Sequence, residues 1–232
     1  MKYILIRITR FICLFAILTV SFNLNAQIGN VNDLTGTPIK VKSSERIEGT
    51  FYPISSQWSN GEFITTHGTR YVDIPIRFNA FSQSLEILKA NTAFTLDSKE
   101  VIQFSFSVFD ENGNTIDYIF KNGFDTEFPK SQYFRVWFNN GKMKILELIK
   151  VTEEKVPAEA YGAPEDTRLN SYNFIYLLKD GEFKKIKMNN RNMSKLFLDR
   201  KEDVLNFIKA KSLDVSAYND FKILSEYVES FQ

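Results

Sequence analysis

Residues 133–151 read YFRVWFNNGKMKILELIKV and show the pattern that decides the fold. In the first run, Phe134, Val136 and Phe138 alternate with other residues, which predicts a strand with those three side chains on one buried face. Asn140-Gly141 follows and supplies the positive φ angles that a tight hairpin turn requires. A second run rich in apolar residues comes after the turn. The stretch therefore predicts an antiparallel β-hairpin.

The same alternation recurs from about residue 46 to residue 188. Two further apolar series have a period of two: Val72, Ile74, Ile76 and Phe78, and Phe104, Phe106 and Val108. Asn112-Gly113 and Asp180-Gly181 again separate strand-like runs. The polar faces favour antiparallel over parallel pairing, because parallel strands are usually buried on both faces. Pro75 cannot donate a hydrogen bond to a neighbouring strand, so its strand is predicted to be an edge strand or to carry a bulge.

Residues 152–171 interrupt this pattern. Pro157, Gly162 and Pro164 stand among several carboxylates, a composition typical of a solvated connection. The segment is either a domain boundary or a long surface loop within one domain. We favour the loop, since only one further clear hairpin follows. A loop of this length is also a candidate functional segment.

Residues from about 192 to 231 change to helical spacing. Asp199 followed by Glu202 predicts the start of one helix, and Ser216 is predicted to cap another. A short turn over Met193–Leu198 precedes them. The last helix carries an amphipathic stripe: Ala217, Phe221, Leu224, Val228 and Phe231. Such helices either cover the sheet or dock a partner, and covering the sheet is favoured. We therefore predict an α+β fold, an antiparallel β-sheet meander or partly closed barrel followed by two or three C-terminal α-helices.

Residues 1–26 have the layout of a secretory signal peptide that is removed from the mature protein. Three basic residues are followed by a short apolar run and a small residue before Gln27: Lys2, Arg7, Arg10, Phe11–Phe22 and Ala26. A retained N-terminal anchor is the alternative, but the apolar run is shorter than the roughly 20 residues of a membrane span. Lipid attachment is a second alternative; Cys13, however, lies near the start of the run instead of its end.

This interpretation makes residues 27–232 a single β-rich domain that is exported, to the periplasm, the outer membrane or the medium. The chain has 29 basic and 28 acidic residues, and its only cysteine is Cys13. Because the signal peptide contains three basic residues and no acidic ones, the mature chain carries a net charge of −2 and no disulfide. Nucleic-acid binding, which usually needs a basic excess, is not expected. The mature chain has no second long apolar run, so we predict no transmembrane segment in it.

The residues that usually carry catalysis are sparse. His67 is the only histidine, and with no cysteine in the mature chain the usual zinc ligand sets are excluded. His67 is expected in a surface turn, since no Gly-x-Ser-x-Gly motif accompanies it. Asp110, Asn112 and Asn114 resemble part of a calcium loop, but Thr115 and Lys121 replace its essential Gly and Glu, which favours a hairpin turn. We predict no catalytic, metal-ligating or cofactor-binding residues and no cofactor.

Three other groups of residues are candidate sites by residue type. The carboxylate pairs Glu153-Glu154 and Glu165-Asp166 suit glycoside hydrolysis in type, but a solvated segment does not tune their acidity. Lys184, Lys185, Lys187, Arg191 and Lys195 form a basic cluster that suits anionic lipid headgroups, lipopolysaccharide or acidic glycans, although a solvated surface is the favoured interpretation. Trp58 and Trp137 suit sugar stacking. For Trp137, burial beneath the C-terminal helices is favoured.

The chain also resembles a group of uncharacterised exported proteins of Gram-negative bacteria. The resemblance covers most of the mature chain and rests on several segments: Asn25-Ala26-Gln27, Gly49–Pro53, Gly68–Tyr71 leading into Ile74–Asn79, Phe134–Leu148, and LDRKEDVLNFIKAKSLD near the C-terminus. It implies an envelope or secreted protein and assigns no catalytic residue.

These observations favour a non-enzymatic exported protein that binds a partner or an envelope component. The expected partner is an envelope protein, a lipid or a glycan. The alternative is a periplasmic carrier of lipids or other hydrophobic ligands, in which the aromatic-rich sheet curls around an apolar pocket. A hydrolase that uses His67 or the carboxylates is the third and least favoured hypothesis.

Overall fold

A computed structural model of the protein describes residues 28–39, 47–156 and 166–230. The predicted signal peptide, residues 1–26, and its Cys13 lie outside the described residues. The same is true of Glu165 and Phe231.

Twelve strands in the described part of the chain form one sheet. Their bounds are β1 (Thr37–Pro38), β2 (Ile47–Glu48), β3 (Ser59–Thr65), β4 (Arg70–Asn79), β5 (Ser84–Lys89), β6 (Thr92–Leu96), β7 (Val101–Phe109), β8 (Thr115–Lys121), β9 (Phe134–Asn139), β10 (Met143–Val156), β11 (Asp166–Lys179) and β12 (Glu182–Ile186).

The sheet consists of two antiparallel halves that meet where β8 pairs with β9; we call them the first meander (β1 and β3–β8) and the second meander (β9–β12). The strand order is β1-β6-β5-β4-β3-β7-β8-β9-β10-β11-β12. β2 pairs with β11 in parallel, so the sheet is mixed. Within the described residues its two end strands, β1 and β12, do not pair with each other, and the sheet is open. The predicted α+β class and the antiparallel meander are confirmed. Among these residues the sheet is open, so the alternative of a partly closed barrel is not observed.

All three predicted hairpin turns form. They connect β7 to β8, β9 to β10, and β11 to β12. Gly113, Gly141 and Gly181 have φ angles of 80°, 85° and 80°, a backbone conformation that glycine adopts at little cost. Of the three residues that precede these glycines, only Asp180 also has a positive φ (52°), so Asp180-Gly181 alone has both positive angles of a tight two-residue turn.

The first meander is strongly coiled. Only Asp97–Glu100 connects the end of β6 to the start of β7, yet three other strands separate β6 from β7 in the sheet order. Four strand spacings in a flat sheet amount to about 19 Å. The connection is contracted by a turn in which the Glu100 N–H donates to the Asp97 carbonyl (2.9 Å). Curling brings Leu96 and Val101 into one aromatic-rich core, which includes Phe63, Phe78, Phe104 and Phe120.

A β-bulge decides which residues of β4 face this core. Val72 and Asp73 together oppose a single residue of β3, and Asp73 has a φ of 55°. The extra residue shifts the alternation, so Tyr71 is buried with Ile74 while Val72 lies on the opposite face. The prediction that Val72 shares the core face is therefore wrong.

The expectation for Pro75 is confirmed in its bulge form. β4 is an interior strand between β3 and β5. Its pairing with β5 begins at Ile76, so Pro75 lies beyond that pairing and its missing N–H removes no bond to β5.

A second bulge corrects the prediction for β9. Phe138 pairs with Ile145 and Val136 pairs with Leu146, which leaves Trp137 as the extra residue. Neighbouring residues of β10 point to opposite faces, so Phe138 lies on the opposite face from Val136 and Phe134. Phe138 packs beneath the C-terminal helices, whereas Phe134 and Val136 contact a second aromatic cluster on the other face.

The predicted surface loop is wrong for residues 152–156 and 166–171, which belong to strands. β10 extends to Val156 and β11 begins at Asp166, and the two strands pair in register along their full lengths. Side chains reinforce the pairing: Asn170 Nδ2 donates to Glu154 (2.8 Å) and Lys155 Nζ donates to Thr167 (2.8 Å). The charged residues that resembled a loop are exposed on the ribbon: Glu153, Glu154, Lys155 and Arg168. Residues 157–165 lie outside the described residues.

Three helices follow the sheet, as predicted. They are α1 (Asn190–Leu196), α2 (Lys201–Ala210) and α3 (Tyr218–Glu229), with a short 3-10 helix at Leu198–Arg200. Their apolar stripes, including Phe221, Leu224 and Val228 of α3, pack on one face of the second meander. The favoured prediction that these helices cover the sheet is confirmed.

The predicted helix caps are wrong. Asp199 lies inside the 3-10 turn, which the Arg200 N–H closes on the Phe197 carbonyl (2.9 Å), and α2 begins two residues after Asp199. The residue before α3 is Ala217, which offers no capping side chain. Ser216 instead donates its backbone N–H (3.0 Å) and hydroxyl (2.6 Å) to Asp214, whose carboxylate pKa these bonds lower.

The two meanders are joined by a narrow seam between β8 and β9. Only Phe120 with Arg135 and Lys121 with Phe134 are paired across it. The start of β8 diverges from β9, and the Arg135 guanidinium donates to the Asp117 carbonyl (3.0 Å) in that space. On the far side, the Val151 N–H donates to the Ala80 carbonyl (3.1 Å), which ties β10 back to the first meander.

Candidate functional site

His67 lies where the sequence places it, exposed in the turn between β3 and β4. The Thr65 N–H donates to the Thr69 carbonyl (2.9 Å), and the Gly68 N–H donates to the Thr65 carbonyl (3.0 Å), which closes the turn. His67 and Glu100 border a groove of about 170 Å³. Within the described residues no serine donates a hydrogen bond to His67, so its surroundings are those of a surface turn.

The Asp110 carboxylate accepts hydrogen bonds within its own hairpin turn. The donors are the backbone N–H groups of Asn112 (2.9 Å) and Asn114 (2.7 Å) and the Asn114 side chain (3.0 Å). The side-chain bond from Asn114 comes first among the causes that hold the Asp110 pKa below its ordinary value. The carboxylate organises the turn between β7 and β8.

Three of the carboxylates considered for hydrolysis, Glu153, Glu154 and Asp166, are described, and they lie on the β10–β11 ribbon. Glu153 pairs with Lys155 (3.2 Å) and Glu154 accepts from Asn170, all on the surface of the ribbon. Asp166 stands at the first residue pair of the ribbon, opposite Val156. Across the described ranges, no group of three or more His, Cys, Asp or Glu side chains is placed to hold a metal ion. Nor does any described helix have the length and apolar character needed to cross a membrane.

The basic cluster does not form one surface. Lys184 pairs with Leu177 on the face covered by the helices, whereas Lys185 pairs with Tyr176 on the opposite face. Lys187, Arg191 and Lys195 are exposed beyond β12 and along α1. Lysines on an edge strand discourage pairing with other chains. The cluster therefore matches the solvated surface that the sequence favoured.

Each of the two tryptophans lies beside a cross-strand arginine–glutamate pair whose glutamate is buried. The Arg77 guanidinium lies 4.2 Å from the Trp58 ring and 4.1 Å from the Tyr52 ring, and its Nε donates to Glu86 (2.7 Å). Both Glu86 oxygens are occupied, because Tyr52 and Asn79 also donate to them. Desolvation, followed by the Glu86 charge, raises the pKa of Tyr52 to about 12. We call this group the Glu86 cluster.

Trp137 lies under α3, as favoured from the sequence. Its ring contacts Phe221 and Tyr218 with centroid distances of 5.5 and 5.4 Å, and its Nε1 donates to Glu147 (2.8 Å). Arg135 also donates to Glu147 (3.3 Å), and its guanidinium is held between the rings of Tyr118 (3.8 Å) and Tyr218 (3.9 Å).

We call this second group the Glu147 cluster. Arg135 and Glu147 are 4 % and 5 % exposed, and Arg135 Nε has no hydrogen-bond partner among the described residues. Burial raises the pKa of the Tyr118 hydroxyl. Sequence reasoning missed both clusters, since a charged residue that alternates with apolar ones is normally interpreted as solvent-facing.

Aromatic rings fill the interior in which a carrier would hold its ligand. Phe78, Phe104 and Phe120 are at most 1 % exposed, with centroids 4.6 to 5.6 Å apart. A groove of about 350 Å³ lies on the opposite face of the sheet, but polar residues such as Ser105 and Asp117 line it. Packed aromatic side chains therefore occupy this part of the core, and the groove on the opposite face is partly polar.

One stretch of the surface combines exposed aromatic rings with unpaired backbone. β12 pairs with β11 only from Ile175 onward, and β2 pairs with β11 only at Thr167 and Arg168. Between them, residues 170–174 have no backbone partner on that side within the described residues. We call these residues the β11 notch.

The side chains of the β11 notch form an aromatic and cationic surface. Tyr172 is 43 % exposed, and its ring is stacked with that of Phe174 at a centroid distance of 6.2 Å. Lys185 Nζ lies 3.7 Å from the Phe174 ring centre. Lys150 pairs with Tyr172 across the ribbon and is exposed on the same face. Sequence reasoning assigned this segment partly to a loop and so did not identify it.

The chain was compared with known protein families, curated proteins and solved structures. No protein-family model, curated protein or solved structure matches it.

Proposed function

We propose that the protein is exported and binds a partner or an envelope component through the β11 notch, without catalysing a reaction. The observation that carries the binding proposal is the Tyr172–Phe174 ring pair with Lys185 over it. Exposed aromatic rings beside lysines bind ligands with flat or apolar groups and negative charge, because stacking and ionic attraction act together. Anionic groups are abundant on envelope lipids, glycans and acidic proteins.

Export is proposed from residues 1–26 alone. The protein is expressed in a Gram-negative host and the cell is fractionated. The extracytoplasmic fraction should contain a chain whose intact mass is that of residues 27–232, beginning at Gln27. Leu18→Arg, which interrupts the apolar run, should keep the full-length chain in the cytoplasm. A wild-type chain that stays in the cytoplasm with residues 1–26 attached contradicts export.

Binding is tested by hydrogen exchange of the purified protein with and without solubilised Gram-negative envelope fractions. Residues 170–174 and 183–186 should gain protection with at least one fraction. Tyr172→Ser should abolish that gain. Phe109→Ser is the matched control, because Phe109 is also an exposed aromatic on a strand, 78 % exposed, but lies away from the notch. Unchanged exchange with every fraction, or an equal gain in Tyr172→Ser, contradicts the proposed site.

A further inference from the structure

We infer that the β11 notch takes up an extended, acidic segment of a partner polypeptide as an added β-strand. This inference rests on the function proposed above and names the class of partner. Two features of the described residues carry it: the direction of the free backbone groups and the absence of the devices that protect the other edges of the sheet.

The free backbone groups can be assigned from the hairpin that ends β11. The loop that connects β11 to β12 consists of Asp180-Gly181, with φ angles of 52° and 80°. In a two-residue hairpin the flanking residues, here Lys179 and Glu182, exchange backbone hydrogen bonds. Backbone groups alternate between the two sides of a strand. Ser171 and Asn173 therefore direct their N–H and C=O groups to the same side as Lys179, into the notch.

The notch has the dimensions of a short strand. Gly49 closes one end: its φ is 98°, and a Cβ on it would lie 2.7 Å from the Leu169 carbonyl oxygen. The Ile175–Ile186 pair closes the other end. The five residues between them span about 16 Å, enough for an extended segment of similar length. Ser171 and Asn173 are exposed, and no backbone hydrogen bond described outside the strand ladders involves either residue.

The other edges of the sheet carry protective features that the notch lacks. β1 is two residues long and contains Pro38, which cannot donate to an added strand. β12 exposes Lys184 and Lys185, and its chain continues into Lys187. Residues 170–174, NSYNF, contain neither proline nor a charged side chain. An unprotected edge is a template for strand addition, which natural proteins otherwise avoid.

Charge selects an acidic segment. Side chains of an added strand alternate between the two faces, so every second one would lie beside Tyr172, Phe174 and Lys185. Lys150 adds a second positive charge on that face. The nearby Glu154 carboxylate is already engaged by the Asn170 amide (2.8 Å). A glutamate or an aromatic residue at the alternate positions therefore suits the surface, and lysine does not.

The experiment uses labelled peptides and the purified protein in a fluorescence anisotropy titration. The probe is acetyl-Thr-Glu-Tyr-Glu-Thr-amide. Its controls are the same peptide with both glutamates replaced by lysine and a version N-methylated at alternate amides. Each N-methyl group that removes a ladder bond should weaken binding by about tenfold. Equal affinity of the methylated and unmethylated peptides, or no binding of the acidic peptide, overturns the inference.

Variants of the chain separate this inference from the proposed function. Asn173→Pro removes an N–H that points into the notch, whereas Tyr172→Ser keeps the backbone and removes the ring. If Asn173→Pro is folded and still gains protection from an envelope fraction that Tyr172→Ser does not bind, the ligand is recognised by side chains alone. That result overturns strand addition and leaves the proposed function standing. Concentration-dependent dimerisation that blocks the peptide identifies a second copy as the occupant and also overturns the inference.

Discussion

The Glu86 and Glu147 clusters are two solutions to the same problem of placing an arginine–glutamate pair in a sheet. In both clusters the two charged residues are cross-strand partners, and aromatic rings flank the guanidinium. The Glu86 carboxylate accepts bonds from three side chains through both oxygens, and 18 % of the Arg77 side chain is exposed. The hydrogen bonds described for Glu147 go to one oxygen, and Arg135 is almost fully buried.

The difference shows what each cluster depends on. Arg77 can reach water if its partner is lost, so the Glu86 cluster depends mainly on its hydrogen bonds. Arg135 has lost nearly all hydration, so the Glu147 cluster depends on the counter-charge. A buried pair stabilises little relative to apolar residues, but a buried charge that has lost its partner is costly. Substitutions in the two clusters should therefore lower the free energy of unfolding by different amounts.

Glu147→Ala should have the largest effect, a loss of about 3–5 kcal/mol in the free energy of unfolding, because Arg135 remains buried without a counter-charge. Urea unfolding of the purified protein measures this loss. The double substitution Arg135→Met with Glu147→Leu is the control and should recover most of it, since no charge remains buried. A double variant no more stable than Glu147→Ala would contradict this account.

Glu86→Ala should cost less, about 1.5–3 kcal/mol, the usual range for hydrogen bonds to a charged group. Arg77 turns toward solvent, and Tyr52 and Asn79 lose their shared acceptor. The same urea titration measures the change, and Glu86→Gln should retain part of the stability because the amide oxygen still accepts. If Glu86→Ala destabilises the protein more than Glu147→Ala, the proposed difference between the clusters is reversed.

Tyr52→Phe tests the Glu86 cluster through the pH dependence of stability. At neutral pH the lost hydroxyl bond should cost about 1 kcal/mol. Tyr52 has a pKa of about 12 in the folded protein and 10.0 as its ordinary value, so between these pH values the unfolded chain loses a proton that the folded chain retains. The wild type should therefore lose its advantage over Tyr52→Phe as the pH rises from 10 to 12. An advantage that is constant over this interval would show that burial does not disfavour the phenolate.

Lys222→Ala should have the smallest effect. Lys222 joins α3 to Asp117 of β8 (3.3 Å) beside the Glu147 cluster, but its side chain is 50 % exposed. Exposed ion pairs contribute little, so the free energy of unfolding should change by less than about 0.5 kcal/mol. Thermal unfolding at low and high salt tests this. A larger loss that salt abolishes would indicate that the surface charge holds α3 over Arg135.

The sequence predicted the elements whose cause is local. Gly141 and Asp180-Gly181 specify their turns by backbone conformation, and the Phe221–Leu224–Val228 stripe specifies a helix that covers a sheet. It did not predict features that depend on distant pairing. The bulge at Trp137 turns Phe138 to the opposite face because of its register with Ile145, on another strand.

The candidate site was missed for the same reason. Residues 152–171 have the composition of a loop, and only the pairing of residues 152–156 with residues 166–170 makes those residues strands. The β11 notch exists because β2 and β12 stop short of one another, and neither the sequence of β11 nor that of β12 shows where its neighbour ends. Lys185 was noticed as a charge, but its position over Phe174 follows from the cross-strand register.

The narrow seam between β8 and β9 bears on how the molecule opens. Two residue pairs join the meanders there, whereas fourteen join β10 to β11. Regions with few connecting bonds open locally at lower free energy than the units on either side. In native-state hydrogen exchange under mild denaturant, the amides of β8 and β9 near the seam should exchange first. The first meander and the β10–β11 ribbon should then follow as two separate cooperative units.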